Sequence, residues 1–232
     1  FICHLEEAKK LVIFDVVKAR IVHEIVDISD DVIVAAGREK MILVLPGDKL
    51  MQRWSLKTFE RETVARLPGK GTTYRALMGV NGDGPLLLGS DTSVLVDINT
   101  MQRMEIQGQV TGGGEKTQVH VSANGHMFAG IGTSGSPSTF FRMTVRGNET
   151  MIGRFSSTSY RTRWSWPTAD GTLQLASVGI FDEHLQRVDA EWLQGYTRFP
   201  TVDPRYFLAI RFAKDAKTGK TVWKAVEEGR GL

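Results

Sequence analysis

One short phrase recurs along the chain at intervals of roughly 40 residues. Each copy has a large apolar residue, then usually Asp, Ser or Thr, and then a turn with polar and basic residues. The apolar anchors of these copies are Phe14, Trp54, Val96, Met143, Phe181 and Trp223. Short apolar runs of strand length, bounded by turn residues, separate one copy from the next. A repeat of this length constrains the fold, because one unit cannot bury its faces alone and neighbouring units must stack.

The spacing predicts an all-β protein, specifically a β-propeller built of four-stranded antiparallel blades. The strands of the clearest unit are predicted at 74–80 (inner), 85–90, 93–99 and 101–106 (outer). Asn81-Gly82-Asp83-Gly84 separates the first two strands, and these residue types accept the positive φ of tight hairpins. Further inner strands are predicted near 118–123 and 161–167.

The repeats predict a single propeller domain or propeller segment over residues 1–232. Four whole blades cover about 33–196, and partial blades lie at 1–28 and 197–232. Both partial blades carry second and third strands, so they overlap rather than complete each other. We therefore favour a segment of a larger ring, with about five to six blades represented, over a small closed ring. The unpaired strand edges of such a segment predict edge-mediated self-association.

The composition of the chain excludes several kinds of partner and site. The chain has 29 Lys and Arg against 26 Asp and Glu, for a net charge of +3, and the basic residues form no stripe. We therefore do not expect nucleic acid as a partner. The single cysteine, Cys3, excludes an internal disulfide framework and a Cys-rich zinc site. No apolar run approaches a membrane span and no signal peptide is recognisable, which leaves the compartment open.

Motifs that might bind a cofactor or a metal lack their structural context. Residues 130–135 spell G-x-G-x-x-G, but a loop and a strand follow where a dinucleotide site needs a helix. Gly219-Lys220-Thr221 resembles the end of a P-loop, but Lys214 stands where that motif needs glycine. The five histidines are dispersed. The sequence therefore predicts no cofactor, no metal site and no catalytic residue, and it favours a protein that is not an enzyme.

The segment from Tyr160 to Trp166 is the best candidate for a binding surface. Alternation in a strand places Tyr160, Trp164 and Trp166 on one side and Arg161 and Arg163 on the other, together with Ser165. Trp, Tyr and Arg are enriched at binding hot spots, although such aromatic residues also pack between blades. The predicted partner-binding residues are Tyr160, Arg161, Arg163, Trp164 and Trp166.

The repeats resemble those of the WD-repeat and YVTN-type β-propeller families along nearly the whole chain. In WD repeats an aromatic-Asp dipeptide closes the third strand. Phe14-Asp15 and Phe181-Asp182 match that dipeptide, and Trp54-Ser55 and Val96-Asp97 match it more weakly. The Gly-His dipeptide that precedes the inner strand of a WD repeat is missing from every copy, since Gly125-His126 falls in the turn after an inner strand. The resemblance implies the broad superfamily and no subfamily.

Two classes of function follow from the resemblance, because a propeller fold does not fix function. We favour a non-catalytic protein-interaction or scaffolding module within a longer polypeptide. The alternative is an enzyme or small-ligand binder with its site at the central channel, such as a lyase, a hydrolase or a quinoprotein-like module. Several charged or histidine side chains converging at one channel mouth would favour the alternative.

Overall fold

The computed structural model describes residues 1–69, 71–90, 92–111, 117–132, 139–156, 164–188, 197–201, 203, 206–214, 218 and 220–230. Within these residues all regular structure is β: strands β1 to β21 pair antiparallel into six sheets, and no helix occurs. Accordingly, the described part of the chain contains no helix with the length and apolar character needed to span a membrane.

Each sheet consists of strands that follow one another in sequence. Sheets 2, 3 and 4 have four strands: β4 Ile33–Ala36, β5 Lys40–Leu45, β6 Leu50–Ser55 and β7 Arg61–Arg66; β8 Thr73–Leu77, β9 Leu86–Ser90, β10 Val94–Asp97 and β11 Gln102–Arg103; β12 Thr117–Val121, β13 Met127–Gly132, β14 Thr139–Arg146 and β15 Glu149–Ser156. Sheets 1, 5 and 6 have three described strands: β1 Ile2–Leu5, β2 Lys10–Asp15 and β3 Arg20–Val26; β16 Ser165–Pro167, β17 Gln174–Ala176 and β18 Gly179–Phe181; β19 Thr197–Pro200, β20 Tyr206–Lys214 and β21 Thr221–Arg230.

The predicted strands of the clearest unit correspond to sheet 3. Inner strands β8 and β12 each begin one residue earlier than predicted, and β11 is shorter than the predicted outer strand. The third predicted inner strand is described only in its second half, as β16. Residues 189–196, at the end of the fourth predicted whole blade, lie outside the described residues. The division into four whole and two partial blades stays a prediction.

Successive sheets stack face against face, and an apolar cluster fills each interface. Strand β9 shows how the sequence achieves this, because all of its residues are buried. Leu86 and Leu88 pack towards sheet 2, whereas Leu87 packs towards sheet 4. Neighbouring side chains of a strand point to opposite faces, so one uninterrupted apolar strand supplies two interfaces. Equivalent clusters join sheets 1 and 2, sheets 4 and 5, and sheets 5 and 6.

The recurring phrase of the sequence is a turn that follows the third strand of sheets 2 and 3 and the second described strand of sheet 1. The side-chain oxygens of Asp15, Ser55 and Asp97 each accept hydrogen bonds from the amides two and three residues further on, at 2.7–3.2 Å. Such short polar side chains satisfy the turn backbone locally. The bond from the Lys18 amide is also the main cause of the lowered pKa of Asp15. Four positions after each of these residues the backbone has positive φ, at Ala19, Phe59 and Met101.

The apolar anchors of the phrase differ in burial. Val96, Met143 and Phe181 are buried in the interfaces between sheets. Phe14 and Trp54 are only partly buried, and a β-bulge directly precedes each of them. At both places the extra residue lies on the neighbouring strand, Val22 on β3 and Glu62 on β7, and not on the strand that carries the anchor. The side chain of the sixth anchor, on β21, is not among those described.

The turns between the first and second strands are hydrogen-bonded from sheet to sheet. Backbone amides donate to carbonyls of the next turn in three steps, namely Arg38 to Val80 at 2.6 Å, Asn81 to Ala123 at 2.9 Å and Asn124 to Ala169 at 3.2 Å. First strands also contact one another directly, β4 with β8, β12 with β16 and β16 with β19. The first strands therefore lie side by side and form the inner edge of the stack.

Candidate functional site

Trp164 and Trp166 lie at the start of β16, on the inner edge. Their rings stack with centroids 4.7 Å apart and planes inclined by 16°. Ser165 points to the opposite side, where it is buried and its hydroxyl accepts a 2.7 Å hydrogen bond from the Gln174 amide. The arrangement predicted by strand alternation is thus present for these three residues.

Two further rings join the tryptophans from neighbouring sheets. Phe199 on β19 stacks on Trp166 with centroids 5.1 Å apart. His120 on β12 meets Trp166 edge-on at 5.8 Å and 74°. We call the four residues His120, Trp164, Trp166 and Phe199 the aromatic row. Because the row draws on the first strands of sheets 4, 5 and 6, its shape depends on how the sheets stack.

The aromatic row is only partly covered. Trp164, Trp166 and Phe199 are half-buried and His120 is exposed. Trp164 has a second, structural role, since it also packs against the apolar cluster between sheets 5 and 6. Trp166 and Phe199 belong to none of the apolar clusters formed by the described residues. The middle of the row is therefore apolar surface that lies outside these clusters.

The polar atoms of the row are unpaired. Within the described residues neither indole N–H donates a hydrogen bond, and the imidazole of His120 makes none. Desolvation by the surrounding protein lowers the pKa of His120, so the ring is neutral at pH 7. The row thus combines a stack of apolar rings with free N–H donors and no charge of its own.

The remaining predicted binding residues, Tyr160, Arg161 and Arg163, lie outside the described residues, and their role stays a prediction. Sequence reasoning missed His120 and Phe199. Both belong to inner strands of other repeats, and each is flanked in sequence by residues that read as ordinary strand. The only available signal was that three successive inner strands carry an aromatic ring or an imidazole.

A second candidate is a cleft of about 640 Å³ between sheets 4 and 5. Arg142, which is 4% exposed, donates to the carbonyls of Thr172 at 3.0 Å and Gly171 at 2.9 Å. Burial lowers the pKa of its guanidinium. Arg146 pairs with Glu183 at 3.1 Å across the cleft. Because both arginines already have partners on sheet 5, the cleft functions as a polar contact between two sheets.

The described residues contain no group of three or more His, Cys, Asp or Glu side chains placed to hold a metal ion. The glycines of the G-x-G-x-x-G run also have a structural explanation. Gly130 and Gly132 lie within strand β13. A Cβ on Gly130 would lie 2.5 Å from the carbonyl oxygen of Gln118 and 2.6 Å from the Phe141 ring, so close packing requires glycine there.

Comparison with known proteins identifies the fold. No protein-family model and no curated protein matches the chain. The β-propeller domain of Cps50 (Swd1) from Myceliophteria thermophila is 13% identical with a TM-score of 0.53, over 98% of this chain and 85% of that chain. KlAtg21, in its complex with the coiled coil of AgAtg16, is 13% identical with a TM-score of 0.57, over 96% of this chain and 78% of that chain. These likenesses show that the chain has a β-propeller fold, and they assign it to no subfamily.

Proposed function

We propose that this propeller is a non-catalytic interaction module that binds a segment of a partner protein on the aromatic row. The observation that carries the proposal is that half-buried rings from sheets 5 and 6 meet the exposed imidazole of His120 from sheet 4 at the inner edge, and that Trp166 and Phe199 lie outside the apolar clusters between the sheets. Large aromatic side chains dominate the energetics of protein interfaces, since each offers much apolar area and loses little conformational entropy.

The surroundings of the row favour binding over a purely structural role. Covering apolar surface releases about 25 cal/mol per Å², so each half-exposed ring leaves stabilisation that a partner can recover. The rings are also fixed before binding, because Trp166 and Phe199 belong to strands and stack on each other, and Trp164 stacks on Trp166 directly before β16. A rigid surface loses little freedom when a partner binds. KlAtg21 was itself solved with a coiled-coil partner, which is consistent with binding of protein segments by this fold.

Affinity purification from extracts of the source cells tests the proposal. The wild-type protein is compared with Trp166→Ala, which removes the centre of the row, and with Met151→Ala as a matched control. Met151 is also an exposed apolar residue, at 50%, but lies on the fourth strand of sheet 4, away from the inner edge.

We expect proteins that are retained by the wild type and by Met151→Ala and are lost with Trp166→Ala. Equal retention by all three proteins would contradict the proposal, and so would the absence of any protein retained above background. Circular dichroism and thermal unfolding of each variant establish that a lost partner reflects the missing ring and not an unfolded domain.

A further inference from the structure

We propose that the segment bound by the aromatic row is proline-rich and adopts the polyproline II conformation. This inference rests on the proposed function and names the chemistry of the partner. Three properties of the aromatic row favour such a ligand, namely its unpaired N–H donors, the spacing of its rings and the absence of a charged residue among its four members.

The free donors of the row suit a ligand with unpaired carbonyls. The indole N–H groups of Trp164 and Trp166 have no acceptor within the described residues. By contrast, the indole of Trp54 donates to the Gln52 side chain at 3.0 Å. A polyproline II helix has no internal hydrogen bonds, and proline has no N–H of its own, so its backbone presents acceptors only. Donors without partners on the protein thus face acceptors without partners on the ligand.

The spacing of the rings suits the pitch of the same helix. Consecutive centroids are 4.7 Å apart from Trp164 to Trp166 and 5.1 Å apart from Trp166 to Phe199. Together these two steps span at most about one turn of polyproline II, three residues at about 3.1 Å each. Prolines on one side of the ligand can therefore contact both ends of the row. Aromatic-lined grooves recognise polyproline II segments in this way, at a low entropic cost because the ligand is already extended.

The charge of the row favours a neutral ligand. None of its four residues is acidic or permanently cationic, and the lowered pKa of His120 leaves that ring neutral at pH 7. Neither a phosphorylated nor a strongly acidic segment finds a compensating charge on these rings. A ligand that offers only prolyl rings and carbonyl oxygens requires no compensating charge on the protein.

Nuclear magnetic resonance of the indole N–H groups tests the inference. The chain has five tryptophans, and single Trp→Phe variants assign their side-chain resonances. Decaproline is titrated into the protein, with a Gly-Ser peptide of the same length as the control ligand. We expect the Trp164 and Trp166 resonances to shift with decaproline only, and the Trp54 resonance to stay in place.

Two variants then measure the contribution of the donor. Trp166→Phe keeps an aromatic ring in the stack but removes the N–H, and should weaken decaproline binding about fivefold, the effect expected for one hydrogen bond. Trp54→Phe should leave the affinity unchanged. Equal affinities for Trp166→Phe and the wild type would overturn the role of the indole donor.

Other outcomes separate this inference from the proposed function. If decaproline moves no indole resonance while partner retention still depends on Trp166, the ligand class is wrong and the interaction module stands. If a linear oligosaccharide shifts the row and decaproline does not, the row is a glycan surface and the inference is overturned. If Trp166→Ala leaves partner retention intact, the proposed function fails whatever the peptide does.

Discussion

Gly79 and Gly125 pack backbone against backbone between sheets 3 and 4. A Cβ built on Gly79 would lie 2.3 Å from the amide nitrogen of Gly125. The contact lies beside the hydrogen bond from the Asn81 amide to the Ala123 carbonyl. It therefore belongs to the series of hydrogen-bonded turns that holds the first strands of neighbouring sheets together. Only a residue without a side chain permits this approach.

Gly79→Ala should therefore destabilise the protein strongly. The added methyl group meets the backbone of Ala123 and Gly125, which cannot move aside as a flexible side chain would, and overpacking of this kind costs about 1–3 kcal/mol. Gly132→Ala is the matched control, because its Cβ would meet only the Thr139 carbonyl oxygen, at 3.8 Å. Urea denaturation should show a large loss of stability for the first variant and little change for the second. Equal unfolding midpoints would show that the turns separate readily.

Arg142→Met should also destabilise the protein, by about 2–3 kcal/mol, because hydrogen bonds from a charged group to the carbonyls of Gly171 and Thr172 are lost. Arg146→Met removes a cation from the same cleft but from an exposed ion pair, whose side chains are 64% and 52% exposed. Pairs of that kind contribute about 0–1 kcal/mol. Thermal unfolding compares the stabilities of the two variants. A larger loss of stability from Arg146→Met than from Arg142→Met would refute the assignment of Arg142 as the contact between the sheets.

His120 should make stability depend on pH. Its pKa is lowered in the folded protein, whereas the unfolded chain has the ordinary value of about 6.5. As pH falls through that value the unfolded state binds more protons than the folded state, so the free energy of unfolding decreases. Above about pH 7 both states are neutral at this site and the contribution vanishes.

Chemical denaturation of the wild type and of His120→Gln across this range of pH measures the effect. The wild type should lose stability relative to the variant below about pH 6.5 and match its pH dependence above it. Parallel curves for the two proteins would mean that the imidazole is as well hydrated in the fold as in the unfolded chain.

The features of this structure that depend on local sequence pattern could be predicted from the sequence. The spacing of the anchors predicted the stacked sheets, and alternation placed Trp164 and Trp166 on one side of a strand, opposite Ser165. The neighbours of Trp166 could not be predicted in this way. His120 and Phe199 reach it only because sheets 4, 5 and 6 stack with their first strands adjoining, and that geometry is set by contacts between distant turns.

The contact between Gly79 and Gly125 shows the same limit. From the sequence, Gly125 is predicted to be a turn residue, and it does have positive φ, at 77°, whereas Gly79 lies in the predicted inner strand at 74–80. Gly79 is needed for a different reason, the approach of another backbone, which no pattern within its own repeat encodes. The pattern of a single repeat predicts which residues share a face of a strand. Contacts between repeats cannot be predicted from that pattern, because they depend on how the sheets stack.

The outer face of sheet 1 exposes several large apolar side chains. Leu5, Ile21 and Val26 lie on one face of this sheet and are 46%, 52% and 54% exposed. The opposite face packs on sheet 2 through Leu11 and Ile13. Lys10 and Glu24 form an ion pair between them on the same face. Exposed apolar residues that share one face favour association, so the protein should self-associate through this face.

Sedimentation velocity over a wide range of concentration measures this association. We expect the wild type to sediment faster as its concentration rises, and the double variant Ile21→Lys/Val26→Lys to sediment as one species throughout. Val64→Lys is the matched control, since Val64 is 47% exposed but stands on the outer strand of sheet 2. Val64→Lys should behave as the wild type. A wild-type protein that stays monomeric at every concentration would show that the exposed face of sheet 1 is not an association surface.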